Sequence, residues 1–232
     1  MIQTGGTNLF IASMWRSGSI HIANTMARLL NFRSASTTGF HGEGSEQQNI
    51  NYVSGGILFP YGRQVFLQHV WASTLNTSML SSYNIRPVVV MRNISDIIVS
   101  LKEHIDNLEI PIIPGIEIPG RWTVLDDHAK FDWLATHVFP WLMQFYWTWQ
   151  RTGIDKMFIR YEDFYADQVA GCKKIAEWLE LPLPDDAIIK SACGVDDNFV
   201  TGKSGRGNQL IPQELLDRMK ELTEKEIKAW VS

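Results

Sequence analysis

Arg16, Ser17, Gly18 and Ser19 form a short polar turn between an apolar run and an amphipathic stretch, within "FIASMWRSGSIHIANTMARLL" (10–30). A cation, two hydroxyls and a glycine at a helix N-terminus suit one kind of chemistry, the holding of an anion. The first N–H groups of a helix lack intrahelical acceptors and point outward with the positive end of the dipole. Gly18 lets the backbone approach an anion closely, Ser17 and Ser19 add hydroxyl donors, and Arg16 adds a bidentate fork. Ile20 and His21 continue the same turn. The ATP-binding pattern G-x-x-x-x-G-K-[ST] is not met, since it would need glycine at Ser13 and lysine at Ser19. An N-capped helix carrying an exposed arginine explains the stretch equally well.

A second stretch, "VVVMRNISDIIVSLKEH", sets Arg92 at the end of an apolar run and Ser100 eight residues later. Eight residues is just over two helical turns, so Ser100 returns to the side from which Arg92 projects. A cation and a hydroxyl placed this way suit a second, separate phosphate. Asp96 reads as a helix-start acid.

With both stretches in hand, the chain resembles the PAPS-dependent sulfotransferases, which use 3′-phosphoadenosine 5′-phosphosulfate. That family holds the phosphosulfate with P-[KR]-S-G-[ST]-[ST], and this chain has Trp15-Arg16-Ser17-Gly18-Ser19-Ile20. Its 3′-phosphate element, R-N-x-x-D-x-x-x-S, is matched at Arg92, Asn93, Asp96 and Ser100. "FIRYEDFYADQVAGCKKIAEWLELPLP" is similar to the family's Tyr-Glu-Asp strand end, long helix and Leu-Pro turn. "GKSGRGNQLIPQEL" is similar to its C-terminal glycine-rich loop, through Gly202, Lys203, Ser204, Gly205 and Arg206. The four elements run in the family's order from about residue 8 to residue 220. The chain departs from the pattern at Trp15, at Ile20, at His21 (where an adenine-stacking aromatic is common) and at Val200, which replaces an arginine.

The resemblance implies sulfuryl transfer from PAPS to a hydroxyl or amine acceptor, in line and without a metal. Arg16 would stabilise the leaving phosphate, and Lys203 or Arg206 would supply the 3′-phosphate charge. Tyr161 is either an adenine contact or a buried aromatic. His69, which follows "VFLQ", stands where the cytosolic branch keeps its catalytic base, and Glu43 in "GFHGEGSEQ" is the rival base. None of the six histidines falls in an HxH or HExxH pattern. A nucleotide kinase of the P-loop type and a relative without turnover remain the alternatives.

Positioning such a site takes strands that end where these residues begin. "LFIA" (9–12), "VFLQ" (65–68), "PVVVM" (87–91) and "MFIRY" (157–161) are short and apolar on consecutive positions, as in parallel strands covered on both faces. Helical spacing of Ala23, Met26, Ala27 and Leu30, and of Ile94, Ile97, Ile98, Leu101 and Ile105, alternates with them. Val169, Cys172, Ala176 and Leu179 continue the pattern, and a last helix starts at Pro212. The expectation is a three-layer α/β sandwich around a parallel sheet, like the P-loop NTPases, as one domain over 1–232. An aromatic helix is expected over 131–150, mainly as core packing, and irregular segments over 33–56, 106–124 and 194–211.

A 232-residue chain with 45% hydrophobic and 20% charged residues is ordinary for a globular protein. Its net charge of −4 argues against a nucleic-acid surface. Two cysteines outside any CxxC, no run long enough for a membrane span and no signal-peptide pattern point to a reducing cytoplasm. The sequons at Asn76 and Asn93 read as coincidental. The acceptor is open among small molecules, glycans and lipids, and nothing indicates the oligomeric state.

Overall fold

The computed structural model describes residues 6–35, 49–107, 118–194 and 204–231, with 225–231 as backbone. Five strands build the centre: β1 (Leu9–Ser13), β2 (Arg33–Ala35), β3 (Gln64–Gln68), β4 (Val88–Met91) and β5 (Met157–Arg160). They lie in the order β2-β3-β1-β4-β5, and every neighbouring pair is parallel. The connections carry α1 (Ser19–Leu30), α2 (Tyr52–Leu58), α3 (Thr74–Ser82), α4 (Ile94–Asp106), α5 (Asp127–His137) and α6 (Phe139–Arg151). After β5 come α7 (Tyr161–Ala166), α8 (Gln168–Trp178), α9 (Asp186–Cys193), α10 (Gly207–Leu210) and α11 (Gln213–Val231).

Strand side chains alternate between the two faces, and each face has its own core. Phe10, Ala12, Phe66 and Val89 join one cluster with residues of α3, α4, α5, α6 and α11. Leu9, Ile11, Val65, Val88, Val90 and Ile159 join the other, with α1, α8 and α9. All five residues of β1 are buried, which explains its unbroken apolar run. This is the three-layer α/β arrangement expected from the sequence.

Several local features differ from expectation, among them two short helices in segments read as irregular, α2 from Tyr52, capped by Asn51, and α10. β2 lies inside the segment read as irregular. It is a three-residue edge strand with Arg33 and Ser34 exposed, so it shows no apolar run. The aromatic stretch forms two helices, because Pro140 in the first turn of α6 has no N–H to continue a helix from α5. Tyr161 opens α7 rather than ending β5.

The strand order reverses beside β1, which lies between β3 and β4. In open parallel sheets the crevice beyond the carboxyl ends of the strands at such a point receives ligands. Arg16 follows β1, His69 follows β3, Arg92 follows β4 and Tyr161 follows β5.

Candidate active site

The turn after β1 is bent by two left-handed residues, Arg16 at φ 59° and Gly18 at φ 75°. Glycine is required at the second for two reasons. A side chain is strained at that φ, and a Cβ there would lie 2.3 Å from the Tyr161 ring. Gly18 is also the N-cap of α1 and brings no side chain to cap it, so the first N–H groups of that helix stay available. Ser17 donates its hydroxyl to the Met14 carbonyl at 2.7 Å, and Ser13 and Ser19 share a hydrogen bond of 2.8 Å. The Ser17 hydroxyl therefore braces the turn instead of projecting from it.

Arg92 bridges the two anion elements. Its Nη1 donates to the Arg16 carbonyl at 2.6 Å, and its guanidinium lies 4.2 Å from the centre of the Tyr161 ring. Its Nε is buried with no hydrogen-bond partner, an unmet donor that an anion could satisfy. The Tyr146 hydroxyl from α6 donates to the Arg92 carbonyl at 2.7 Å and accepts from the Arg92 N–H at 3.0 Å. Arg16 Nε donates to Ser100 Oγ at 3.1 Å, so Ser100 faces the turn after β1. Burial and the Arg92 charge lower the pKa of Arg16, while Glu103 opposes them. Glu103 offsets only part of the repulsion between the two guanidinium groups, and a bound anion would relieve more of it.

His69 stands at the end of β3, partly open to the crevice. Its Nδ1 lies 2.9 Å from the Ser13 carbonyl oxygen. A carbonyl only accepts, so Nδ1 carries the proton and Nε2 keeps its lone pair. Burial pushes the ring pKa from 6.5 to about 4, against the smaller effect of the Ser13 bond. The following residues are braced one by one. Val70 O accepts from Trp149 Nε1 at 2.9 Å, Trp71 O from Asn76 Nδ2 at 2.7 Å, and Ala72 N donates to Thr148 Oγ1 at 3.2 Å. Beside His69 an aromatic wall forms: Trp15 meets its ring edge-on at 5.7 Å, Trp141 stacks on Trp15 at 4.6 Å, and Trp71 lies 6.1 Å from Trp141.

The structure thus brings together Arg16, Ser17, Gly18, Ser19, His69, Arg92, Ser100 and Tyr161. Tyr161, one of the two adenine readings, is 2% exposed, its ring held between Gly18 and Arg92. That burial matches the other reading, a packed aromatic. His21 is 6% exposed, hydrogen-bonded to Gln168 at 3.1 Å and tilted against Tyr165, so its ring is not offered for stacking. Ile20 turns its side chain outward at 57% exposure, leaving its backbone N–H in the first turn of α1. Gly205 N donates to Asp96 of α4 and Arg206 pairs with Glu103 of the same helix, while Ser204 beside them is exposed. Glu43 and Lys203 lie outside the described residues.

Asp96 does more than start a helix: it is buried and accepts from Gly205 N and Gly207 N. The sequence singles out neither Glu103 nor Trp71, whereas Trp15 is marked as a departure from the motif and Trp141 belongs to the aromatic helix expected mainly as core packing. Asp96, Ser100 and Glu103 at i, i+4 and i+7 are the signal that could have found the acids. Both sequon asparagines are committed, Asn76 at 0% exposure and Asn93 as the cap of α4. Among the described residues no cluster of histidine, cysteine, aspartate or glutamate could hold a metal ion, and no helix is long and apolar enough to cross a membrane.

Known proteins agree with this layout. The mouse sulfotransferase SULT7A1 complexed with PAP superposes with a TM-score of 0.66 at 16% identity, over 96% of this chain and 85% of that one. Retinol dehydratase in complex with androsterone and inactive cofactor PAP gives 0.62 at 16% identity, over 98% and 82%. These identities speak for the fold alone. A search of curated proteins returned no match. The family model of the sulfotransferase domain matches residues 60–193, from the approach to β3 through the end of α9. That match spans more than half of the 232 residues, and the chain belongs to the sulfotransferase domain family.

Proposed function

We propose that this protein transfers a sulfuryl group from PAPS to a hydroxyl or amine acceptor, with His69 as the general base. The observation that carries the reading is the Ser13–His69 contact. It fixes the imidazole tautomer and leaves Nε2 unprotonated, on a ring in contact with Trp15 of the turn that in this reading holds the anion. When bound, PAPS supplies an electrophilic sulfuryl group and a phosphate as leaving group. The residues present fit it: the uncapped first turn of α1, Arg16, and Arg92 with its unmet Nε are donors gathered beyond the ends of β1 and β4.

The chain's own residues then divide the work. Arg16 and the N–H groups of Ser19, Ile20 and His21 neutralise charge on the leaving phosphate. Arg92, Ser100 and Arg206 take the 3′-phosphate, with Lys203 as a further cation. His69 Nε2 accepts the acceptor's proton. The wall of Trp15, Trp71 and Trp141 excludes water beside His69 and suits a partly apolar acceptor. Androsterone and retinol, bound in structures of retinol dehydratase, are of that kind. In this reading the chain works as one cytoplasmic domain on a small-molecule, glycan or lipid acceptor, with Glu43 as the alternative base.

Calorimetry with 3′-phosphoadenosine 5′-phosphate (PAP) against ATP–Mg²⁺ tests the reading. Binding of PAP and weak or no binding of ATP–Mg²⁺ is expected. The reverse order would replace it with the kinase reading.

A further inference from the structure

The C-terminal loop is fastened to α4 by two acids. Asp96, 2% exposed, accepts from Gly205 N at 2.8 Å on one carboxylate oxygen and from Gly207 N at 2.7 Å on the other. Gly207 comes so near to α4 that a Cβ would fall 2.2 Å from Ser95 Oγ, and Gly205 has φ 83°. Two turns along the helix, Glu103 receives the Arg206 guanidinium on both oxygens, Nη1 to Oε2 at 3.0 Å and Nη2 to Oε1. Asp96, Ser100 and Glu103 form one stripe of α4, and Ser100 accepts from Arg16. The stripe therefore gathers the turn after β1 and the C-terminal loop along a single line.

The two acids are not equivalent. The Asp96 carboxylate is enclosed and satisfied by uncharged backbone donors. Glu103 is 44% exposed and holds a cation of the site through a two-pronged pair. Arginine makes the same planar, two-pronged contact with phosphate. Glu103 thus fills, in the ligand-free protein, the coordination that a phosphate would fill on Arg206.

We infer that Asp96 is a positioning residue that pins residues 205–207 to α4 without nucleotide, while Glu103 is a stand-in anion that the nucleotide's 3′-phosphate displaces from Arg206. The inference rests on the nucleotide reading above. It makes Arg206 ready before binding, at the cost of competition from an anion within the chain.

Charge removal at Glu103 separates competition from simple support. Glu103→Gln keeps the shape and loses the charge, so PAP should bind about tenfold more tightly, the scale of one charge-assisted contact. Arg206→Gln should weaken PAP by a similar factor, and adding Glu103→Gln to it should change nothing further. In NMR-detected hydrogen exchange of the ligand-free protein, the Gly205 and Gly207 amides should be protected. Asp96→Asn, which keeps one acceptor oxygen, should speed at least one of them by about tenfold. Asp96→Ala should release both, and if it fails to fold the asparagine variant decides. Unchanged or weaker PAP binding in Glu103→Gln, with a wild type that binds PAP, overturns the stand-in role alone. A wild type that does not bind PAP overturns the nucleotide reading and the stand-in role together. The amide exchange still decides Asp96, and unaltered exchange in Asp96→Asn overturns the pin.

Discussion

A neutral imidazole is the form a base needs, yet one held near pKa 4 is a weak base until its surroundings change. Bound nucleotide brings negative charge beside the ring, which favours the imidazolium and raises its pKa. NMR titration of His69 should therefore show a midpoint near 4 without ligand and a higher one with PAP. A midpoint that stays put would mean that the nucleotide binds elsewhere. His69→Ala should lower turnover by roughly 10²–10⁴-fold, and near-normal turnover would move the role to Glu43. The same shift bears on stability. The folded ring has the lower pKa, so as pH falls below 6.5 the unfolded chain binds this proton first. Stability from His69 is complete above 6.5 and declines toward about 4. Urea unfolding of His69→Gln should lack that part of the pH dependence.

At the scale of elements, the site depends on strand ends being held at fixed positions. Tyr146 on α6 satisfies both backbone groups of Arg92 with one hydroxyl, and burial pushes its pKa up, so it stays a donor. Tyr146→Phe leaves a backbone N–H and C=O unmet and should cost about 1–3 kcal/mol in urea unfolding. It should also weaken PAP, because the backbone that places the Arg92 guanidinium loses its anchor; an unchanged unfolding midpoint would mean that water replaces the hydroxyl. Gly18→Ala meets both a left-handed φ and the Tyr161 ring. It should lose about 1–2 kcal/mol from the φ alone, and more in so far as the ring must move.

These elements were legible to different degrees. The four apolar strands and α1 and α4 could be read because burial on both faces, or on one stripe, writes itself into spacing. β2 could not, since two exposed residues and one half-buried one carry no period. Nor could the orientation of Ser17, Tyr161 and His21, which packing decides after the chain has folded. The motif marked Ser17 as a contact for the nucleotide, while His21 stood as a departure in the place of a stacking aromatic and Tyr161 was open between an adenine contact and a buried aromatic. The structure shows one bracing the turn and two buried.

For the molecule as a whole, the order β2-β3-β1-β4-β5 sends the chain to either side of β1 and leaves one crevice where four strand ends meet. Sequence order could suggest the parallel sheet. The meeting of Arg16 with Ser100, 84 residues apart, is settled only by topology. Guanidinium groups gathered there make the ligand-free fold electrostatically unfavourable at one point. Anion binding should therefore stabilise the whole domain. At a concentration about 100 times its dissociation constant, PAP should add about 2.7 kcal/mol. For a chain of this size that is a rise of about 5–10 °C in Tm. Added salt screens the guanidinium charges from one another and from the ligand, so the rise should shrink with ionic strength while the ligand-free Tm increases slightly. ATP–Mg²⁺ at the same concentration should give a smaller rise, because it has no 3′-phosphate for Arg92 and Ser100. Equal rises for the two nucleotides in a thermal melt would show that the site counts charge without reading where the phosphates stand.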